Sequence, residues 1–216
     1  MNEKTLTIKN FIFSVLLMLL FISFSVVVTL NFRQLYYFDM DYLDIPAASG
    51  LEKSVVRENY DALIDYNSMF YRGELEFPTL PMSESGKIHF EEVKDIFVGF
   101  QKLFIADLLV CAVLLVWHIR KKSFAFLKLA GSVTVLIPAV LGVLIALNWD
   151  WCFVTFHHLA FDNDYWIFDA ATDPVITILP DSFFMHCALM ILGIVLFCAA
   201  LCFVAGKIQK RSFFGA

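Results

Sequence analysis

The chain reads as an α-helical integral membrane protein with four transmembrane helices, a small mixed extracellular cap and both termini cytoplasmic. Three observations predict this. Sixty per cent of its 216 residues are apolar and its mean hydropathy is +0.74, well outside the usual composition of a soluble domain. Phe11 to Leu30 and Leu129 to Leu147 contain no charged residue, and at about 1.5 Å rise per residue each is long enough to cross a hydrocarbon core about 30 Å thick. Basic residues collect in two short polar stretches and are missing altogether from Trp149 to Phe184.

The spacing places spans at about 10–31, 96–118, 127–147 and 183–205, within a single membrane domain covering 1–216, with the cap made from 32–95 and 148–182. The first span lacks the small-residue cleavage pattern of a removable signal peptide and is read as retained. The second is the least regular. Its charge-free part, Leu108 to Trp117, is short, so the helix must carry Lys102 and Asp107 toward or into the bilayer, and an intramembrane carboxylate is costly unless paired. Asp107 is read as a helix-packing or water-cavity residue, Lys102 being the nearest opposite charge along the chain. Pro138 in the third span predicts a kink.

Within the first outer segment, Leu51 to Tyr71 has helical periodicity. Val56, Tyr60, Leu63, Asn67 and Phe70 fall on one face, with Gly73 as the stop and Pro78 and Pro81 beyond it. The amide of Asn67 on that apolar face requires a hydrogen-bonding partner. Phe38 to Pro46 alternates aromatic and acidic residues, and Thr79 to Phe90 sets Ile88 and Phe90 around His89, so two or three short strands are expected. Glu91 and Glu92 form the acidic first turn of the helix that becomes span two.

Arg120, Lys121, Lys122 and Lys128 lie between spans two and three, Lys207, Lys210 and Arg211 follow span four, and Lys4 and Lys9 precede span one. Basic short connections stay on the cytoplasmic side, which puts 32–95 and 148–182 outside. The formal net charge of −5 comes largely from those outer segments and argues against a nucleic-acid partner. Cys111, Cys198 and Cys202 read as packing residues within spans. Cys152 and Cys187 fall near one rim, and a disulfide between them is the lesser reading.

The segment from Trp149 to Phe184 holds three of the four tryptophans, the adjacent pair His157 and His158, and six aspartates. Aromatic rings concentrate where hydrocarbon meets water, so this segment is expected against the headgroups, on the outer face. Trp149, Phe153 and His157 recur every four residues and share one face if span three continues as helix past Asn148. His157 then lies at a depth similar to His89. Two imidazoles at one depth can serve as base and acid, although interfacial histidines more often simply bond loop carbonyls. His118 reads as a cytoplasmic boundary residue, and His186, one turn into span four, as either structural or supporting. The six outer aspartates are candidates to hold a cationic group such as a free α-amine, beside the commoner role of solvated loop acids. His157, His158, Asp162 and Asp164 match no zinc signature, with no HExxH and no cysteine ligand pair, and no metal is assigned. No GxSxG elbow is present.

Three blocks of residues resemble the lipoprotein intramolecular transacylases of Gram-positive bacteria: Asn59, Tyr60, Asp61 through Tyr66, Asn67; His89, Phe90 with Val93, Lys94; and FHHLAFDNDYWIFDAATDPVITILPDSFF from Phe156 to Phe184. The last is the specific one, and with the four spans the likeness covers essentially the whole chain. The resemblance implies a membrane acyltransferase that moves the sn-2 acyl chain of a diacylglyceryl-modified N-terminal cysteine to that cysteine's own α-amino group, giving a lyso-form lipoprotein. It implies two catalytic histidines where cap meets membrane, carried onto His89 and His157 with His158 as an adjacent competitor. Tyr60, Tyr66, Asn67, His158 and Trp166 are the expected substrate-binding residues, no cofactor is expected, and the partners are diacylated bacterial lipoproteins and membrane lipids at the cell membrane. The alternative is a non-enzymatic membrane protein whose cap binds a lipid or protein partner. A transporter fits least, because the spans are too apolar and no inverted repeat is visible.

Overall fold

In the computed structural model the backbone is described for residues 3–214 and side chains for residues 6–209. The side chains of Lys4, Lys210 and Arg211, which enter the charge argument, lie outside the described residues. Eight α-helices are present among the described residues: α1 (Glu3–Asn31), α2 (Arg33–Tyr42), α3 (Ile45–Ser49), α4 (Lys53–Tyr66), α5 (Glu84–Arg120), α6 (Ala125–Leu147), α7 (Trp149–Ala160) and α8 (Asp181–Phe214). A single 3₁₀ turn, Pro174–Thr177, precedes the last. Helices α1, α5, α6 and α8 are long and apolar enough to cross a membrane, and they contain the four expected spans.

The chain forms two compact units. The first gathers the residues up to Val26, Gln101–Leu144 and those from Met190 onward. Its contacts are those of helices in an apolar medium, where small residues let neighbours approach. A Cβ on Gly131 would come within 2.9 Å of the Phe203 ring, and Ser14 Oγ donates to the Asn10 and Phe126 carbonyls at 2.8 and 3.1 Å. His118 is not a wetted boundary residue but is 1% exposed. It stacks on Phe13 at 4.8 Å, and its Nδ1 is 3.1 Å from the Ser123 carbonyl. Asp107 is buried and accepts from Cys111 Sγ at 3.5 Å. Helix α5 ends in a Schellman arrangement: Ser123 N donates to His118 O, Lys122 N to Ile119 O, and Lys122 has φ +51°. That left-handed residue stops α5 and satisfies its last carbonyls.

The second unit, Val27–Phe100 with Ile145–Leu189, is helical where short strands are expected. Phe38 to Tyr42 lies in α2 and Ile45 and Pro46 in α3, with a turn at Leu43 and Asp44 between them. The residues that decide this are Tyr36, Asp39 and Met40, all buried, because their i, i+3, i+4 spacing marks one face of a helix and not one side of a sheet. Thr79 to Ser83 is irregular and the helix begins at Glu84, so no strand forms in the described residues. Glu91 and Glu92 accordingly lie two turns into α5, whose first-turn acid is Glu84. Helix α4 stops at Tyr66, before Gly73, which has φ +110°. Val56, Tyr60, Leu63 and Asn67 are buried as the periodicity requires, whereas Phe70, beyond the helix end, is 77% exposed.

Tyr36 organises the core of this unit. Its ring stacks on Tyr60 at 3.6 Å and meets Phe183 edge-on at 5.0 Å, and its hydroxyl donates to the Ile178 carbonyl at 2.6 Å. Each aromatic pair contributes roughly 0.5–1.5 kcal/mol beyond its burial. Asn59 fastens the irregular segment after α4: its Nδ2 donates to Thr79 Oγ1 at 2.6 Å and its Oδ1 accepts from Thr79 N at 3.3 Å. Asp61 accepts from Arg33 at 2.9 Å and from the Tyr37 hydroxyl at 2.6 Å.

Candidate active site

His89 is carried on the first turns of α5. Ser83 caps that helix, its Oγ accepting from Gly86 N at 3.0 Å, and its own N–H donates to buried Asp173 Oδ1 at 2.7 Å. Asp173 also accepts from Thr172 Oγ1 at 2.7 Å. The approach leaves no room for a side chain at position 86, where a Cβ would lie 2.3 Å from Asp173 Oδ1. Helix start and loop 161–173 are thereby fixed to each other, one turn ahead of His89.

His157 is carried on α7. Asn148 breaks the helix after α6 with an extended backbone and caps the next, its side chain accepting from Trp151 N at 2.9 Å. The expected face exists, on a separate helix: Trp149 lies 5.8 Å from Phe153 and Phe153 4.2 Å from His157, between ring centres. His157 Nδ1 sits 2.7 Å from the Phe153 carbonyl. A carbonyl can only accept, so Nδ1 carries the hydrogen and the lone pair of neutral His157 is on Nε2.

The two imidazoles meet. Their ring centres are 6.4 Å apart with planes inclined by 31°. Phe161 presents its edge to His89 at 4.7 Å and lies 5.8 Å from His157, Phe168 meets His89 at 5.4 Å, and Trp166 stacks on His157 at 4.6 Å. His89 is 5% exposed. Burial pushes the His157 imidazole below its ordinary 6.5; the Phe153 carbonyl opposes this and His158 adds to it. A greasy pocket of this kind favours neutral imidazoles, which is what a general base requires.

The other expected site residues divide. Trp166 is a wall of the pair. His158 is exposed and lies 5.4 Å from the same indole, ring centre to ring centre, with the planes at 86°, so it adjoins this wall of the pocket. Tyr66 and Asn67 are buried; Tyr66 takes the Lys94 ammonium over its ring at 4.0 Å, and Asn67 Nδ2 donates to the Leu63 carbonyl at 2.8 Å, one partner for the buried amide. Tyr60 is 3% exposed within the core described above, and burial holds its phenol far above the ordinary range, so it is a packing residue without acid–base capacity near neutrality. His157, His158, Asp162 and Asp164 do not gather into a group of three or more metal-ligating side chains among the described residues. Cys152 and Cys187 are free thiols.

Sequence reasoning missed Phe161 and Phe168 as walls, Asp173 as the acceptor that holds the Ser83 cap of α5, and the partner of His186. His186 Nδ1 is 2.9 Å from both oxygens of Asp39, a carboxylate with no exposed surface. It also missed that Asn163 Nδ2 donates to Glu92 Oε1 at 2.8 Å, tying the loop that carries Trp166 to the helix that carries His89. The only signal for the last was spacing, since Glu92 follows His89 by one helical turn.

Four long apolar helices among the described residues, with an aromatic-walled histidine pair, define a polytopic membrane protein. Comparison with known proteins narrows this. A family model described as lipoprotein intramolecular transacylase Lit matches residues 11–184. The solved structure of the membrane-integral lipoprotein intramolecular transacylase Lit from Bacillus cereus is similar at a TM-score of 0.96, with 34% identity over 100% of both chains. Two further structures of that protein carry a single histidine substitution. The arginine variant gives 0.87 at 34% identity over 97% of this chain and 93% of that one; the alanine variant gives 0.89 at 34% over 99% and 97%. No curated protein matched. The chain belongs to the lipoprotein intramolecular transacylase family, and it is a multi-pass membrane protein.

Proposed function

We propose that this protein moves the sn-2 acyl chain of a diacylglyceryl-modified N-terminal cysteine onto the α-amino group of the same cysteine, and that His89 and His157 carry the reaction. Family membership supports the acyl transfer; the approach of the two imidazoles inside an aromatic pocket is the observation that carries the residue assignment. His157 Nε2 takes a proton from the neutral amine as the nitrogen attacks the ester carbonyl. His89 donates a hydrogen bond to the oxygen that gathers negative charge. When the carbonyl carbon–oxygen bond breaks, the proton held by His157 passes to the departing glyceryl oxygen, leaving an amide, a free hydroxyl and both imidazoles neutral. Ester and amine belong to one molecule, so no second substrate is needed. Holding two flexible arms in a medium-sized ring is the main task, which the walls formed by Phe161, Phe168 and Trp166 are suited to perform.

The same reading places the second unit at the outer face of the cell membrane and both termini in the cytoplasm. Its support is the basic turn between α5 and α6 and the absence of lysine and arginine from Trp149 to Phe184.

Purified protein given a synthetic diacylated lipopeptide, without added metal or cofactor, is expected to convert it to the lyso form. Substrate and product are isomers, so the readout is fragmentation mass spectrometry that locates the acyl chain on nitrogen or on oxygen. Single replacement of His89 or His157 by Ala or Asn is expected to abolish conversion, and full conversion by either variant removes that residue from the mechanism.

A further inference from the structure

Three polar atoms around the histidine pair are buried without a hydrogen-bond partner: His89 Nδ1, Trp166 Nε1 and Glu92 Oε2. Buried polar atoms ordinarily find partners, and these three belong to one assembly. Trp166 stacks on His157, His157 faces His89, and Glu92 lies three residues beyond His89 on α5, the spacing that makes helix side chains neighbours. The carboxylate is also held in place. Oε1 accepts from Asn163, whose own Oδ1 accepts from Tyr165 N at 3.0 Å, so the arm is fixed and Oε2 alone is left to bind.

An acyl acceptor that is an amine reaches the pocket as a cation near neutral pH, and such a group requires an anionic partner in greasy surroundings. The aspartates of 148–182 do not supply it. Asp150, Asp162, Asp164, Asp169 and Asp181 are exposed, and buried Asp173 is engaged by Ser83 and Thr172. Among the described residues none of the ion pairs involves Glu92, so its charge is not already balanced by a lysine or arginine of the chain. We propose that Glu92 Oε2 binds the α-amine of the N-terminal cysteine, holding the nitrogen beside the histidine pair and making the pocket selective for a free, cationic amino terminus. This rests on the acyl-transfer reading of the same site. The bound ammonium first releases one proton to solvent, giving the neutral amine; the proton lost as the nitrogen attacks goes to His157 and on to the departing glyceryl oxygen, while Glu92 accepts an N–H before and after and no bond to Glu92 forms or breaks.

The test is competition. Two unreactive diacyl lipopeptides bearing an ether in place of the sn-2 ester, one with a free α-amine and one N-acetylated, are titrated as inhibitors of wild-type turnover and of Glu92→Gln turnover. Gln at this position keeps an acceptor for Asn163 and loses the charge. Wild type is expected to bind the free amine about tenfold more tightly than the acetylated analogue, the scale of one charge-assisted hydrogen bond, and E92Q to bind both alike with KM for the reactive lipopeptide raised about tenfold. Retention of the tenfold preference by E92Q, or no preference in wild type, overturns the proposal. Should E92Q fail to fold, Glu92→Ala is measured in the same way, and direct binding of the two analogues to wild type across pH 5 to 9 supplies a second readout: the preference is expected to vanish as the amine deprotonates, and a pH-independent preference counts against Glu92. A wild-type protein that converts no diacylated lipopeptide at all would overturn the acyl-transfer reading itself, a result separate from any behaviour of E92Q.

Discussion

The imidazoles of His89 and His157, from different helices, lie with ring centres 6.4 Å apart and planes inclined by 31°. His157 is held by its own backbone, Nδ1 to the Phe153 carbonyl, and His89 by the aromatic rings around it. The pair therefore differs in tautomeric constraint, the difference on which the proposed roles of base and donor rest.

The first expectation concerns pH. Burial lowers the His157 pKa from 6.5, so the neutral, base-competent form persists below that pH in the folded protein. The His157 imidazole, followed by NMR of its ring protons in the substrate-free protein, is expected to titrate with a midpoint below pH 6.5. The linked stability has the same sign: the unfolded chain takes up the His157 proton first, so stability is lost as pH drops below 6.5 and not as it rises. A resonance that titrates above 6.5 and is lost in His157→Asn contradicts this account.

Trp166 is expected to act through its ring. Trp166→Phe keeps a face for His157 and should retain activity within about threefold, while Trp166→Ala opens the wall and should lower kcat/KM by about tenfold or more. Equal activity in W166A and wild type would show that the stacked indole does not confine the substrate.

Gly86 has no room for a methyl group beside Asp173. Gly86→Ala is expected to push Asp173 away from Ser83 N and to cost about 1–3 kcal/mol, the range of overpacking, read as a lower midpoint of thermal unfolding in detergent. Activity should fall with it, since the displaced turn carries His89.

His186 and Asp39 distinguish a structural role from a chemical one. Removing His186 leaves a fully buried carboxylate without its partner, expected to destabilise by about 3–5 kcal/mol. Below the unfolding range, His186→Ala should retain near wild-type kcat per folded molecule. Loss of kcat with an unchanged unfolding midpoint would reassign His186 to the chemistry.

Much of this was legible in the residue order. Apolar runs long enough to span a bilayer, the periodic face Val56, Tyr60, Leu63, Asn67, and the every-fourth recurrence of Trp149, Phe153, His157 are local patterns, set by the rise and pitch of a helix. The segment from Phe38 to Pro46 is ambiguous in sequence because a short run with both aromatic and acidic residues satisfies a period of two as well as one of 3.6, and the joint burial of Tyr36, Asp39 and Met40 separates them.

By itself the sequence determined four apolar helices, an aromatic segment free of lysine and arginine, and two histidines each at the start or end of a helix. Which rings touch was left to the tertiary structure. That His89 faces His157, that Asn163 grips Glu92, and that Tyr60 belongs to a core and not to the pocket all depend on contacts between segments distant along the chain. Periodicity fixes the face on which a side chain sits but carries no information about what lies opposite, because the partner is chosen by packing of the whole unit.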